Sequence, residues 1–157
     1  MRIGHSKDVH RLVPDRPLIL GGVKIDHHLG LLGHSDADVL THVIIESIIG
    51  ALGLGDIGKH FPDTDPQYKG SNSMDLLTTT KVMLDESAYR IGNLDATIYA
   101  EQPKMRPHID EMRANLATTL EIDASQINIK ATRGEGMGFI GRSEGMGAEC
   151  VILLIEK

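Results

Sequence analysis

Hydrophobic residues recur at helical spacing in the first third of the chain. Between Asp36 and Leu54 they lie three or four positions apart: Val39, Leu40, Val43, Ile44, Ile48 and Leu52. This period predicts a helix over residues 36–54, and Gly53 and Gly55 supply its end. Ser35, followed three residues later by Asp38, has the pattern of a capping box at the start of that helix.

The rest of the chain predicts two more helices and several strands. A looser apolar face runs from Ser73 to Ala88, and Pro107 opens a helix that continues to about Glu121. Strands are predicted for the N-terminal region, a hairpin at 17–25 that turns at Gly21-Gly22, and the segments 93–101, 127–132 and 149–156. This order predicts the α+β class: one mixed β-sheet with three helices packed on one side, in a single domain over 1–157.

Composition narrows the functional classes. The chain has 157 residues, 41% of them hydrophobic, and a net charge of −6 without a basic run, which argues against a nucleic-acid partner. No stretch approaches the ~20 apolar residues that cross a bilayer. We therefore expect no membrane partner and a cytoplasmic location, or an organelle stroma if a targeting segment was removed. Cys150 is the single cysteine, so histidine and carboxylate ligands must hold any bound metal.

The segment HSKDVH at 5–10 is the first candidate for metal binding. Asp8 and His10 lie two apart on a predicted strand and therefore share a face. His42 is the candidate third ligand, on one helical stripe with Asp38 and Glu46, and Glu46 is expected to orient its imidazole. Simple ion pairs explain the same spacing, so that alternative stays open. The remaining histidines receive no role: His5, His27, His28, His60 and His108.

Polar loops supply further candidates. His34, Ser35 and Asp36 precede a predicted helix N-terminus, where a phosphate binds well, although Ser35 also suits a simple cap. The loop at 55–70, GDIGKHFPDTDPQYKG, has the length of a lid or binding loop, but aspartates are common in turns for local reasons. In the segment TRGEGMGFIGR, Glu135 suits magnesium, and Arg133 and Arg142 suit phosphate. Glycines there also fit a tight turn without a ligand.

In order along the chain, six motifs resemble one enzyme family. They are RIGHxxDVH, LGHSDADVLTH, GDIGKHFPDTDP, AxxPKM at 100–105, KAT followed by Glu135, and GFIGR. Together they resemble the 2-C-methyl-D-erythritol 2,4-cyclodiphosphate synthases over essentially the whole chain. The resemblance implies a phosphorus–oxygen lyase of the non-mevalonate isoprenoid pathway. Its expected reaction converts 4-diphosphocytidyl-2-C-methyl-D-erythritol 2-phosphate to the cyclic diphosphate and releases CMP.

The same resemblance implies roles for individual residues. Zinc (Zn2+) would be held by Asp8, His10 and His42, and Mg2+ or Mn2+ by Glu135. The implied catalytic residues are His34, Arg133 and Glu135. The implied substrate contacts, which include the phosphate, erythritol and cytosine subsites, are Asp8, His10, His34, Ser35, Asp56, Ile57, Gly58, Phe61, Pro62, Asp63, Thr64, Asp65, Ala100, Glu101, Gln102, Pro103, Lys104, Met105, Arg106, Ala131, Thr132, Arg133, Gly134, Glu135, Phe139 and Arg142. A homotrimer with active sites between subunits is implied, with a central channel that holds an isoprenoid diphosphate.

Four positions depart from the family pattern. Ser6 and Lys7 stand where the resemblance implies glycine and an aromatic or similar residue, and Glu46 stands where it implies aspartate. Arg133 replaces the second threonine of the usual T-T-x-E, so a hydroxyl expected at the attacked phosphate is missing. Two alternatives stay open: a zinc phosphohydrolase that activates water, and a non-catalytic trimeric module that binds isoprenoid diphosphates, in which Arg133 has spoiled the active site.

Overall fold

The fold is built on a single mixed sheet. A computed structural model describes residues 1–157. The strands are β1 (Arg2–Val13), β2 (Leu18–Leu20), β3 (Val23–Ile25), β4 (Gly30–Leu31), β5 (Tyr89–Tyr99), β6 (Ile127–Thr132) and β7 (Gly145–Glu156). Five of them form a sheet in the order β4-β1-β7-β5-β6, and β2 and β3 form a separate hairpin. Only the β5–β6 pair is parallel, so the predicted mixed sheet and the predicted hairpin are confirmed.

Three long helices cover one face of this sheet. The helices are α1 (Val39–Leu52), α2 (Ile57–His60), α3 (Ser73–Asp85), α4 (Ile109–Leu120) and α5 (Gly138–Gly141). Alternate residues of β7 from Met146 to Leu154 are buried under the helices, whereas Ile3, Val9 and Val151 on the other face are 70%, 49% and 47% exposed. The three predicted helices packed on one side are therefore confirmed. None of the helices has the length and apolar character needed to span a membrane.

The start of α1 differs from its prediction. The helix begins at Val39 and not at Asp36, because the buried Asp38 is the N-cap and its Oδ1 accepts the Thr41 N–H at 2.9 Å. The two oxygens of Asp38 also accept the N–H groups of Gly21 and Gly22 at the hairpin turn. The predicted Ser35 capping box is therefore wrong. The predicted end at Gly53 is confirmed, since that residue has a φ of 74°.

Several other boundaries shift by a few residues. Helix α3 ends at Asp85 and not at Ala88, and a 3-10 turn at Arg106–His108 precedes α4. Strand β5 begins at Tyr89 and β7 at Gly145, earlier than their predicted starts. The predicted loop at 55–70 contains α2 and a 3-10 turn at Pro66–Tyr68, because Asp56 and Asp65 cap these short elements.

Gly4 sets how closely α1 approaches β1. A Cβ atom at this position would lie 1.8 Å from the Ser47 carbonyl oxygen, so only glycine allows the observed packing. Asp8 and His10 lie on the same face of β1 as Gly4, toward α1. The close approach therefore brings His42, on the first turn of α1, to the strand residues that share its candidate site.

Candidate metal centre and adjoining pocket

Asp8, His10 and His42 form a compact group between β1 and α1. One ligand atom from each lies within 4.8 Å of the other two, a spacing that can hold a metal ion. Asp8 Oδ2 lies 3.0 Å from His10 Nε2 and 3.3 Å from His42 Nδ1. Both imidazoles are mostly buried, with side-chain exposures of 19% and 14%. A carboxylate with two imidazoles is a ligand set that suits zinc.

One hydrogen bond to the backbone fixes the orientation of His10. Its Nδ1 lies 2.8 Å from the Leu32 carbonyl oxygen, which can only accept, so Nδ1–H is the donor. In the neutral ring Nε2 then carries the lone pair. This nitrogen is buried and makes no hydrogen bond, although it faces Asp8. An unpartnered buried nitrogen beside a carboxylate fits a metal ligand.

His42 is held in a similar way by two hydroxyls. Its Nε2 lies 2.9 Å from Ser73 Oγ and 3.1 Å from Ser35 Oγ, while its Nδ1 faces Asp8. Glu46 makes no hydrogen bond to this ring; its carboxylate accepts a hydrogen bond from Ser6. The prediction that Glu46 orients His42 is therefore wrong. The orienting groups come from the loop before α1 and from the start of α3.

The charges of Asp8 and His10 depend on each other. Burial alone would raise the pKa of Asp8, but the contacts with His10 and His42 outweigh it and hold that pKa well below its usual range. Burial would lower the pKa of His10, but the Asp8 carboxylate outweighs it and raises that pKa. Asp8 is therefore ionised at neutral pH, and its carboxylate presents a negative charge to a cation.

A cavity of about 320 Å³ opens directly beside this group. Asp8, His10 and His42 share its lining with candidates from two other segments. Those candidates are His34, Ser35, Ile57, Gly58, Phe61 and Asp63. Tyr68, Ser71 and Leu76 also line it, and none of the three was singled out from the sequence. Tyr68 lies in the predicted binding loop, whereas Leu76 had been explained as part of an apolar helix face.

Hydrogen bonds from two neighbouring segments hold the loop that carries His34 and Ser35. Arg16 donates from Nη1 to the Gly33 carbonyl at 3.3 Å and from Nη2 to the Ser35 carbonyl at 2.9 Å. On the other side, the Gly70 N–H donates to the His34 carbonyl at 2.9 Å. The two candidate residues therefore hold a fixed position at the cavity edge.

Other candidates in the 56–65 segment have local structural roles. Asp56 accepts the Lys59 N–H and Asp65 accepts the Gln67 N–H, so both cap short helices. Neither these aspartates nor Pro62 and Thr64 line the cavity.

A second cavity, of about 250 Å³, is lined by most of the candidates for the cytosine subsite. It is lined by Ala100, Glu101, Pro103, Lys104, Met105, Arg106, Ile109, Ala131, Thr132 and Arg133. Ile109 was not predicted, and Gln102 does not line the cavity. Arg133 Nε and Nη2 donate to Glu101 Oε1 at 3.1 and 2.6 Å, and the Gly134 N–H donates to Glu101 Oε2 at 3.0 Å. The two cavities share no lining residue.

The remaining candidates lie on the exposed segment that follows β6. Glu135 is exposed and has a φ of 53°, and Phe139, on α5, is 43% exposed. Arg142 pairs with Glu144 at 2.8 Å. None of the three lines either cavity in the single chain.

Lys7 lies on the opposite face of β1 from the metal group. Its Nζ is 5.8 Å from the centre of the Tyr99 ring, on the sheet face that the helices leave open. His5, on that same face, pairs with Glu149 at 2.8 Å. Neither side chain therefore faces the cavity beside Asp8.

Comparisons with known proteins agree with one another. The YgbB family model matches residues 1–155. A 2-C-methyl-D-erythritol 2,4-cyclodiphosphate synthase of Clostridium perfringens is 58% identical over 99% of this chain and 100% of its own length. The synthase of Geotalea uraniireducens is 59% identical over the full length of both chains.

Solved structures give the same result. IspF of Plasmodium falciparum in a CDP complex has a TM-score of 0.88 and 37% identity, over 99% of this chain and 96% of its own. The bifunctional IspDF of Campylobacter jejuni has a TM-score of 0.95 and 42% identity over 99% of this chain. The present chain spans 42% of that longer protein.

Proposed function

The chain belongs to the YgbB family, the cyclodiphosphate synthases, and from that premise we propose how its residues carry out the family reaction. The enzyme converts 4-diphosphocytidyl-2-C-methyl-D-erythritol 2-phosphate to 2-C-methyl-D-erythritol 2,4-cyclodiphosphate and CMP, a step of non-mevalonate isoprenoid synthesis. The observation that carries the mechanistic proposal is the Asp8–His10–His42 group beside a cavity of about 320 Å³.

The reaction needs positioning and charge stabilisation. An oxygen of the 2-phosphate forms a bond to the β-phosphorus of the diphosphate, and the bond from that phosphorus to the bridging oxygen breaks. CMP leaves with the bridging oxygen, and no water is consumed, so the enzyme is assigned to the phosphorus–oxygen lyases. Both reacting groups are anionic, so the main barrier is their mutual repulsion. No protein nucleophile is required, and the buried Cys150 is not a candidate.

Asp8, His10 and His42 are assigned as zinc ligands, and Glu135 as the residue that holds Mg2+ or Mn2+. When bound, these cations would neutralise the approaching phosphate oxygens and align them for attack. His34 and Ser35, held at the cavity edge, are assigned to the phosphates. Ile57, Gly58, Phe61 and Asp63 are assigned to the erythritol portion, because they line the same cavity as the metal group.

The cytosine is assigned to the second cavity. Its lining combines most residues of the 100–106 segment with Ala131 and Thr132, a concave surface that suits a planar base. Arg133 lines this cavity and pairs with Glu101, but its side chain is 62% exposed, so the guanidinium can also contact a diphosphate. We assign it the role that the family threonine has at the attacked phosphate.

A homotrimer in which neighbouring chains complete each site accounts for the separation of the two cavities. One substrate must reach both the metal group and the cytosine cavity, yet the two share no lining residue within the chain. Thr132 and Glu135 are exposed in the single chain, as are the apolar side chains of Ile3, Val9 and Val151 on the open sheet face. In the trimer these surfaces would meet, and Phe139 and Arg142 are assigned to a central channel for an isoprenoid diphosphate.

Mixed trimers test this proposal. His42→Ala removes a zinc ligand and Glu135→Ala removes the second metal residue, so each variant alone is expected to release no CMP. When the two chains are co-expressed with different tags and purified together, some sites receive an intact face from each chain. Random mixing predicts roughly a quarter of wild-type activity, because each site needs two intact faces from different chains.

Wild-type chains carrying the same two tags are the control for the tags themselves. Recovery of CMP release only in the mixed sample supports sites shared between chains. A mixed sample as inactive as either variant, beside an active tagged control, would contradict the shared site.

A further inference from the structure

Ser73 contacts the candidate metal group but belongs to none of the sequence motifs. It is the first residue of α3 and its side chain is fully buried. Its Oγ lies 2.9 Å from His42 Nε2 and also donates to Asp36 Oδ1. The other oxygen of Asp36 accepts the Ser73 backbone N–H at 3.0 Å. Asp36 therefore holds Ser73 by two contacts at the side of the imidazole that faces away from Asp8.

The direction of these hydrogen bonds follows from what each atom can do. The Asp36 carboxylate only accepts, so the Ser73 hydroxyl proton points toward it. Ser73 Oγ is then left to accept, and His42 Nε2 must carry the proton that it receives. In the neutral ring His42 Nδ1 keeps the lone pair. That nitrogen is the one that lies 3.3 Å from Asp8 Oδ2.

We propose that Asp36 and Ser73 are positioning residues that fix His42 in the Nε2–H tautomer and so present Nδ1 to the metal. The inference rests on the zinc site proposed above. Ser35 contributes a weaker version of the same contact, because its Oγ lies 3.1 Å from Nε2 and already accepts the Ala37 N–H at 3.2 Å. Ser73 is the better placed acceptor, and it alone is tied to a carboxylate.

The same contacts join the metal group to the wall of the cavity. The Asp36 N–H donates to the Ser71 carbonyl at 3.1 Å, and Ser71 lines the cavity. Asp36 thus anchors the end of the 55–70 loop while it orients Ser73. A substitution of Asp36 would also remove the acceptor of the Asp38 N–H, so Ser73 is the sharper position for a test.

The first measurement needs no variant. Metal-free wild-type protein labelled with 15N-histidine gives long-range 15N–1H correlations that identify the protonated nitrogen of each ring. The proposal expects His42 with Nε2 protonated and Nδ1 free. A His42 that carries its proton on Nδ1 would overturn the proposal, whatever the zinc affinity proves to be.

The second measurement is zinc affinity by competition with a chromophoric chelator. Ser73→Ala is expected to weaken zinc binding about 10- to 100-fold, the usual effect of losing a residue that orients a ligand, and to add the other His42 tautomer to the NMR spectrum. Ser71→Ala is the matched control, because the buried Ser71 hydroxyl makes no hydrogen bond; its zinc affinity is expected to equal that of the wild type.

The outcomes separate the two proposals. Wild-type affinity and an unchanged His42 spectrum in Ser73→Ala would overturn the role of Ser73. A wild-type protein that binds no zinc would refute the zinc assignment, and the tautomer measured without metal would still decide the orientation of His42.

Discussion

Ser6 Oγ donates a hydrogen bond of 2.5 Å to Glu46 Oε2 across the contact between β1 and α1. From the family resemblance, glycine and aspartate were expected at these two positions. Ser6 is buried, so its hydroxyl needs a partner, and the longer glutamate side chain supplies one. Ser6 and Glu46 therefore form one hydrogen-bonded pair close to the metal group.

This pair predicts coupled effects on stability. Ser6→Ala and Glu46→Ala should each lower the free energy of unfolding, and the double variant should lose less than the sum of the two. The expected coupling energy is about 1–2 kcal/mol, since the acceptor is charged. Urea unfolding at one fixed chain concentration measures it. Additive losses would mean that the hydrogen bond contributes nothing.

The contact made by Glu46 also leads to a prediction about zinc binding. Because its carboxylate contacts Ser6 and not His42, Glu46→Gln should bind zinc as tightly as the wild type. The zinc content of the purified variant, measured by atomic absorption, checks this. Loss of zinc would instead support Glu46 as an orienting residue for His42.

Removal of a proposed zinc ligand should abolish both metal binding and turnover. His10→Ala deletes a buried nitrogen that faces Asp8, and we expect the variant to bind no zinc and to release no detectable CMP. His5→Ala is the matched control for zinc content, because His5 pairs with Glu149 on the opposite face of the sheet. Full zinc occupancy in His10→Ala would refute the ligand assignment.

Arg133 should matter through its charge at the cytosine cavity. Arg133→Ala removes the guanidinium without restoring the family hydroxyl, and it is expected to lower the rate of CMP release about 100-fold, as for loss of one transition-state donor. Arg133→Thr restores that hydroxyl and should recover most of the rate. Equal rates for all three proteins would show that this position does not contribute to the reaction.

Cys150 should behave as a core residue. Burial raises the pKa of its thiol from 9.0 to about 12, so the folded protein keeps it neutral while the unfolded chain ionises near pH 9. Because the folded-state pKa is the higher one, stability is unaffected below about pH 9 and falls as the pH rises above it. Slow alkylation at pH 8 that becomes fast in urea would agree; rapid labelling of the native protein would not.

Local patterns in the sequence were enough to predict the sheet, the three long helices and the hairpin. Helix α1 has a strong apolar period, and Gly21-Gly22 provides a well-defined turn. The predicted start of α1 was wrong because Asp38 accepts hydrogen bonds from the hairpin turn as well as from its own helix. The contact with the hairpin is tertiary and cannot be predicted from local spacing. The short helices within 55–70 depend on aspartate caps inside a segment without apolar period.

The residues of the candidate site were likewise predicted only where local geometry determines their position. Asp8 and His10 share a face by strand geometry alone, and His42 was the histidine on a neighbouring helical stripe. The sequence did not predict the role of Ser73, because its contact with His42 joins residues 31 positions apart. In addition, serine is common at helix starts without any further function. Glu46 was given the wrong partner, since helical spacing does not show that Ser6 lies closer to it.

A product assay decides the mechanism as a whole. Purified wild-type protein, supplied with Zn2+ and Mg2+, is incubated with 4-diphosphocytidyl-2-C-methyl-D-erythritol 2-phosphate and followed by 31P NMR. Intramolecular attack predicts CMP and the cyclic diphosphate in equal amounts, with no inorganic phosphate. Inorganic phosphate in place of the cyclic product would indicate hydrolysis by a metal-activated water, and bound substrate without CMP release would indicate a non-catalytic binding module.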